Sequence, residues 1–351
     1  PRPGVLLHAE GSVDCAAAWR DADRTRAIAD PDLPDRCRLR PTRVRQRLRG
    51  GAVIKATEVI ATTTAESPEH DNIDPNRVTF DDLGGLHEPK NRLRAIADCI
   101  KDPEGTARYG IAPTHFVLHG PPGTGKTSLV RALAGEANAH LEVVRSTDII
   151  DKWVGNSGKH LRDTLEKAIS HDGPIILFFD EFDAIGSSAR GTNEHLQAKR
   201  VFQEYVTKIE RDHPHITIAA ATNADMDQLD RALIRSGRLE PIPVPVPSGA
   251  ELVEVWGAAI IESYRRLPPE QQEINITQLD NTAAFNVYAS DLDCTKLAAL
   301  SSGLSGADIA FILSQARRQA YRTYRETGTD APVNFALIKP LVTRLQREKT
   351  S

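Results

Sequence analysis

Gly120-Pro121-Pro122-Gly123-Thr124-Gly125-Lys126-Thr127 decides the fold, because an apolar run (His115 to His119) precedes it and a helix-forming run (Ser128 to Ala139) follows. The eight residues fit the pattern GxxxxGK[ST], set between a strand and a helix as that pattern requires. Its glycines let the backbone wrap a phosphate closely, and the N–H groups at the helix start point at the anion. In that arrangement Lys126 reaches the β- and γ-phosphates of a nucleoside triphosphate, and the Thr127 hydroxyl holds Mg2+.

The flanking chain repeats the alternation. Leu141 to Val144, Pro174 to Phe179 and Ile216 to Ala221 read as further buried strands, separated by helices such as Lys159 to Ala168. Continuous apolar strands alternating with helices predict a parallel sheet covered on both faces. Pro241, Pro243, Pro245 and Pro247 alternate with Ile242, Val244 and Val246. All four missing donors then fall on one side of a strand, which suits only a sheet edge. Asp180-Glu181 closes the Pro174 to Phe179 run, and two acids at the carboxyl end of a buried strand need a cation or substrate to offset their burial. Asp180 is the candidate Mg2+ residue and Glu181 the candidate for polarising the attacking water. Beyond Ser248 the pattern is helical: Glu251 to Tyr264, Cys294 to Leu300, Ala307 to Thr323 and Phe335 to Arg347, with an irregular connection over 267–292. The expected organisation is a leader over 1–76, a P-loop α/β domain over 77–248 and an all-helical domain over 249–351.

Composition excludes several classes. At 351 residues, with 40% hydrophobic and 26% charged, the chain can bury a core without a disulfide or metal staple. No apolar run is long enough to span a membrane, and no signal peptide is visible. The four cysteines Cys15, Cys37, Cys99 and Cys294 are scattered without a CxxC pair, as expected of reduced thiols in the cytoplasm. A net charge of −4 gives no global attraction to nucleic acid or acidic membranes. Arg36 to Arg49 holds seven arginines and no acid, and reads as a flexible leader or as a basic arm for a polyanion.

With these motifs in place the chain resembles an AAA+ ATPase, and within that superfamily the AAA group of segregase-type unfoldases, proteasomal ATPases and membrane-linked proteases. The resemblance runs over about 77–348. It implies a three-layer α/β sandwich followed by a small helical lid, with ATP and Mg2+ as ligands. Val78-Thr79-Phe80-Asp81-Asp82-Leu83-Gly84-Gly85 is similar to the segment that opens the AAA module, which puts Asp82 and Gly84 near the adenine. Pro122, Gly123, Thr124, Gly125, Lys126, Thr127 and Ser128 supply the Walker A contacts, and Asp180 and Glu181 the Walker B acids. Asn223, ending Ala220-Ala221-Thr222-Asn223, corresponds to the sensor that orients the water or touches the γ-phosphate. Leu229 to Arg238 resembles the arginine-finger region, so Arg235 and Arg238 are expected to serve the site of a neighbouring subunit. Gly306 and Ala307, in Gly303-Leu304-Ser305-Gly306-Ala307-Asp308, are expected on the adenine side.

Lys152-Trp153-Val154-Gly155-Asn156-Ser157-Gly158 resembles the first pore loop of such rings. Trp153 and Val154 would there grip a protein substrate in the channel of a homo-hexamer, offering apolar contact that suits many sequences. Asn156 stands where the group commonly has an acid. Gly186 to Gln197, with Arg190, Glu194 and His195, falls where a second pore loop would lie, and Leu239-Glu240-Pro241 departs from the usual aromatic-acid-arginine. The sequence holds no HExxH, so the resemblance does not extend to a metalloprotease site. The expected function is ATP-driven unfolding or disassembly of a protein substrate. The alternatives are a nucleotide-gated partner-binding switch and, with less support, a nucleic-acid ATPase using the arginine arm. The latter lacks aromatic-basic interleaving in the ATPase module.

Overall fold

A computed structural model describes residues 78–111, 114–145, 157–186, 193–234, 238–265, 287–289 and 292–350. The leader over 1–76, Trp153, Val154, Arg190, Arg235 and most of the 267–292 connection lie outside the described residues.

A 3-10 turn at Phe80–Asp82 leads into α1 (His87–Lys101) and the short α2 (Pro103–Arg108). Then follow β1 (His115–His119), α3 (Lys126–Ala137), β2 (His140–Arg145), α4 (Ser157–Ile169) and β3 (Ile175–Asp180). A one-turn α5 (Asp183–Gly186), α6 (Asn193–Asp212), β4 (Ile216–Thr222) and β5 (Leu239–Pro243) complete the α/β part. The five strands form one parallel sheet in the order β2-β3-β4-β1-β5.

Strand side chains alternate between two faces, and both faces of β1, β3 and β4 are buried, so these strands are largely apolar. Of the expected buried strand Leu141 to Val144, only Val144 is buried, because β2 lies at the sheet edge and exposes Glu142 and Val143. Phe116, Leu118, Ile176, Phe178, Ala219 and Ala221 pack with Leu93 and Ile96 of α1 and Leu129 and Leu133 of α3. Val117, Leu177, Phe179, Ile218 and Ala220 pack with Leu161 and Leu165 of α4 and Phe202, Val206 and Ile209 of α6. The result is a three-layer sandwich. Among the described residues the strand with the prolines does lie at an edge of the sheet, paired with β1. Val244 N–H donates to His119 O at 2.8 Å, so the even-numbered residues face β1 and the proline nitrogens face away. The strand itself stops at Pro243, earlier than the proline alternation suggests.

Two sequence expectations shift. The helix after the phosphate loop starts at Lys126, not Ser128, because Gly125 in the left-handed region (φ 100°) already turns the chain. It ends at Ala137, where Asn138 adopts φ 52° and its N–H caps the Ala134 and Gly135 carbonyls. The segment offered as a second pore loop is helical from Asn193 onward, so Glu194 and His195 sit on α6 rather than in a loop. No helix among the described residues is long and apolar enough to cross a membrane.

Beyond β5 the described chain is helical: α7 (Ala250–Arg265), α8 (Cys294–Leu300), α9 (Gly306–Thr327) and α10 (Phe335–Thr350). These helices bury their own core of Trp256, Ile260, Leu297, Ile309, Ile312, Leu313 and Val342, with Tyr288 and Val333. Trp256 is fully buried, and its indole N–H donates to Ser301 Oγ at 3.0 Å. Cys294 is buried here too, which is the main reason its thiol pKa is pushed up to about 12.

Candidate nucleotide-binding site

In an open parallel sheet the strand carboxyl ends form the ligand crevice. The register sets His119 of β1 opposite Thr222 of β4, and Phe179 of β3 opposite Ala220. The loops after β1, β3 and β4 therefore open onto the same side. They surround a cleft of about 520 Å3, lined by Pro122 through Ser128, Asp180, Glu181 and Asn223. Asp82, Leu83, Gly84 and Leu86 form one wall; Gly306, Ala307 and Ala310 of α9 form another. Every nucleotide and Mg2+ candidate from the sequence thus borders one cavity, together with Glu181 and Asn223. Arg238 does not line it: its Nη1 donates to Ala232 O at 2.8 Å. Trp153, Val154 and Arg235 lie outside the described residues.

The polar groups in the cleft are already oriented. Lys126 Nζ donates to Gly120 O (2.7 Å), Pro121 O (2.9 Å) and Asn223 Oδ1 (2.7 Å), spanning from the phosphate loop to the end of β4. Burial is the largest influence on this ammonium and lowers its pKa, while Asp180 and Asp183 act in the opposite direction. His119 is also held below the ordinary histidine range, first by burial and then by the Lys126 cation. Thr127 Oγ1 donates to Asp180 Oδ2 at 3.2 Å, putting two hard oxygen donors side by side. That pair fits a Mg2+ held with phosphate oxygens and water, and the Lys126 ammonium fits the phosphates themselves.

Glu181 has φ 54°, a left-handed conformation uncommon for a residue with a side chain. Two hydrogen bonds fix the turn: Glu181 N–H donates to Asp180 Oδ1 at 3.0 Å, and Phe182 N–H to Ala221 O at 2.8 Å. Continuing the strand would alternate Glu181 to the opposite side of the sheet. The left-handed step instead leaves it exposed on the cleft wall. Thr222 Oγ1 donates to Asp183 Oδ1 at 2.5 Å and accepts Ala224 N–H at 3.0 Å, which shapes the turn carrying Asn223.

The helical part closes the cleft through long-range contacts. Gly85 N–H donates to Glu254 Oε2 at 3.1 Å, and His87 N–H to Glu251 Oε1 at 3.2 Å. Asp82 accepts the Thr79 N–H at 2.7 Å and pairs with Arg265 at 2.7 Å. Burial pushes the Asp82 carboxyl up, but Thr79 and Arg265 together outweigh it and hold the group below the usual carboxylate range. Its carboxylate is thus a fastener between the opening segment and α7. Gly84 has no room for a side chain, since an added Cβ would meet the Glu254 carbonyl and lie 2.6 Å from Val255 Cα. Ala307 N–H donates to Gly123 O at 3.1 Å, joining α9 directly to the phosphate loop.

The sequence reading missed the contribution of α7. Val255, Ala258, Ala259 and Glu262 line the cleft at helical spacing. Their signal was a small-residue step on an otherwise bulky amphipathic helix, but periodicity shows a buried face without saying what it covers.

Residues 116–244 match the family model described as "ATPase family associated with various cellular activities (AAA)". The chain is 32% identical over 288 residues to ATP-dependent zinc metalloprotease FtsH 2 of Sphaerobacter thermophilus, covering 80% of this chain and 40% of that protein. It is 32% identical over 282 residues to proteasome-activating nucleotidase 2 of Haloferax volcanii, covering 78% and 62%. A cell division cycle protein 48 homolog of Archaeoglobus fulgidus is 33% identical over 259 residues, covering 72% and 32%. The chain therefore spans between about a third and three-fifths of the length of these relatives. Together with the cleft, these matches identify the chain as carrying an ATPase module of the AAA family.

Proposed function

We propose that this chain hydrolyses ATP to remodel, unfold or disassemble a protein substrate, acting as a ring in which each site is completed by its neighbour. The observation that carries this reading is the convergence of Lys126, Thr127, Asp180, Glu181 and Asn223 on one cleft, closed by the Asp82–Leu86 strip and the start of α9. We assign residues 77–248 as the α/β ATPase domain and 249–351 as its helical lid.

In this reading the loop Pro122–Ser128 wraps the triphosphate, and Lys126 exchanges its carbonyl acceptors for the β- and γ-phosphate oxygens. The base lies by Asp82, Gly84, Gly306 and Ala307. Thr127 and Asp180 hold Mg2+, which when bound neutralises charge on the phosphates. Glu181 takes the proton of the attacking water, and Asn223 orients that water. Arg235 and Arg238 reach the γ-phosphate held by a neighbouring subunit, where such an arginine is worth roughly 10³ to 10⁵ in rate. Trp153 and Val154 grip the polypeptide in the pore of a homo-hexamer. The names of the proteasome-activating and FtsH relatives support a protein as the object of the work.

The test is steady-state ATPase rate against protein concentration, with Glu181→Gln and Arg235→Ala alongside. A specific rate that climbs cooperatively and collapses in both variants is expected. A flat rate indifferent to Arg235→Ala overturns the shared site, and leaves a switch that binds nucleotide without a trans-acting arginine.

A further inference from the structure

Two side chains of α10 reach back to the segment that precedes and begins α9. Gln346 Nε2 donates to Leu300 O at 2.7 Å and to Ser302 O at 3.1 Å. Lys349 Nζ pairs with the carboxylate of Asp308. Asp308 is also the acid of a capping box, its Oδ2 accepting Ser305 N–H at 2.7 Å and Ser305 O–H at 2.6 Å. Burial pushes the Asp308 carboxyl up, but Lys349 and Ser305 outweigh it, so the group is a carboxylate at neutral pH.

The segment so held leans on the phosphate loop. Ala307 donates to Gly123 O, and a Cβ placed on Gly123 would lie 2.8 Å from Ser305 Oγ and 2.9 Å from Ala307 Cβ. An acid one residue from Ala307 therefore stands close to the loop assigned to an anionic ligand. Left alone, its charge would repel that ligand across a half-buried surface, where screening is incomplete.

We propose that Lys349 and Gln346 are positioning residues for the nucleotide cleft. Lys349 neutralises Asp308 while keeping it in its cap, and Gln346 fixes the 300–305 approach, so that Ser305 to Ala307 meet Gly123 in register. Neither touches the nucleotide. This inference rests on the ATP reading above and adds to it a route by which α10 sets nucleotide affinity.

The experiment measures the Kd of the full chain for Mg·ATP and for adenosine, with kcat, KM and nucleotide-free Tm, in Lys349→Met, Lys349→Arg and Gln346→Leu. Lys349→Met is expected to raise the Mg·ATP Kd about two- to fivefold at low salt, the range of a half-exposed ion pair. Adenosine affinity should change less, because it carries no phosphate charge, and high salt should shrink the difference. Lys349→Arg should restore the wild-type value, and adding Asp308→Asn to Lys349→Met should recover most of it, since an amide oxygen at that position can still accept the Ser305 N–H without carrying a charge. KM should follow Kd while kcat holds. A Tm change in Lys349→Met with unaltered Mg·ATP affinity makes the contact purely structural and overturns the proposal. Wild-type protein that binds no Mg·ATP overturns the ATP reading itself, and this inference with it.

Discussion

Replacing Gly123 by alanine perturbs a point where the phosphate loop and the helical part share a hydrogen bond. Gly123 has φ 76°, a left-handed geometry that costs a residue with a side chain roughly 1–2 kcal/mol. The new Cβ would also sit 2.8 Å from Ser305 Oγ and 2.9 Å from Ala307 Cβ, contacts that α9 can relieve only by moving away. That movement lengthens the 3.1 Å bond from Ala307 N–H to Gly123 O, worth about 1 kcal/mol. Strain and lost contact together amount to about 2–3 kcal/mol, or about 5–10 °C in Tm for a unit of this size. Gly173 separates the two contributions. Its φ is 92°, yet nothing lies within 4 Å of an added Cβ, so Gly173→Ala carries backbone strain alone. Calorimetry of nucleotide-free protein should show Gly123→Ala less stable than Gly173→Ala, and titration calorimetry should show weakened Mg·ATP binding only for Gly123→Ala. Adding Ala307→Gly, which removes one of the crowded atoms, should recover part of the lost stability. Equal Tm losses in the two alanine variants would refute a packed contact between the loop and α9.

Three further outcomes are expected. Trp153→Ala should abolish substrate processing while ATP hydrolysis persists, read in a paired ATPase and unfolding assay; intact processing would remove the pore-loop assignment. His115 is nearly fully buried at the start of β1, its Nδ1 accepting Ile218 N–H at 3.1 Å, and burial lowers its pKa to about 4. Below about pH 6.5 the unfolded chain then takes a proton that the folded ring refuses, so stability contributed by the neutral ring is present above that pH and is lost as the pH falls toward 4. An NMR titration of the His115 ring checks this, and a midpoint near 6.5 would contradict it. Trp256→Ala should lower stability by about 3–5 kcal/mol by opening a cavity in the helical core, read as a lower urea midpoint.

The phosphate loop and the acids after β3 were legible because a phosphate must be met by consecutive backbone N–H groups, and a cation by acids at a strand end. Both demands are local and leave a contiguous signature in Gly120–Thr127 and Asp180-Glu181. The edge position of the proline strand was legible for the same reason, since the absence of alternate N–H donors is a property of the residues themselves. The left-handed step at Glu181 left no such mark, because it is imposed by the Phe182 bond to Ala221 on a neighbouring strand.

What only the tertiary structure decided is how the helical part meets the cleft. Asp82, Gly84 and Gly123 looked like ligand contacts; the structure also gives them to Arg265, to the Glu254 backbone and to Ala307. Gly85 and Glu254 meet across 169 residues of sequence. A helical period says which face of α7 is buried, but the partner of that face depends on how two separately packed cores are set against each other. The sequence by itself supplied the residues proposed to meet phosphate and Mg2+, because they reside in short motifs. The walls around it were decided by packing, which no single stretch of the chain contains.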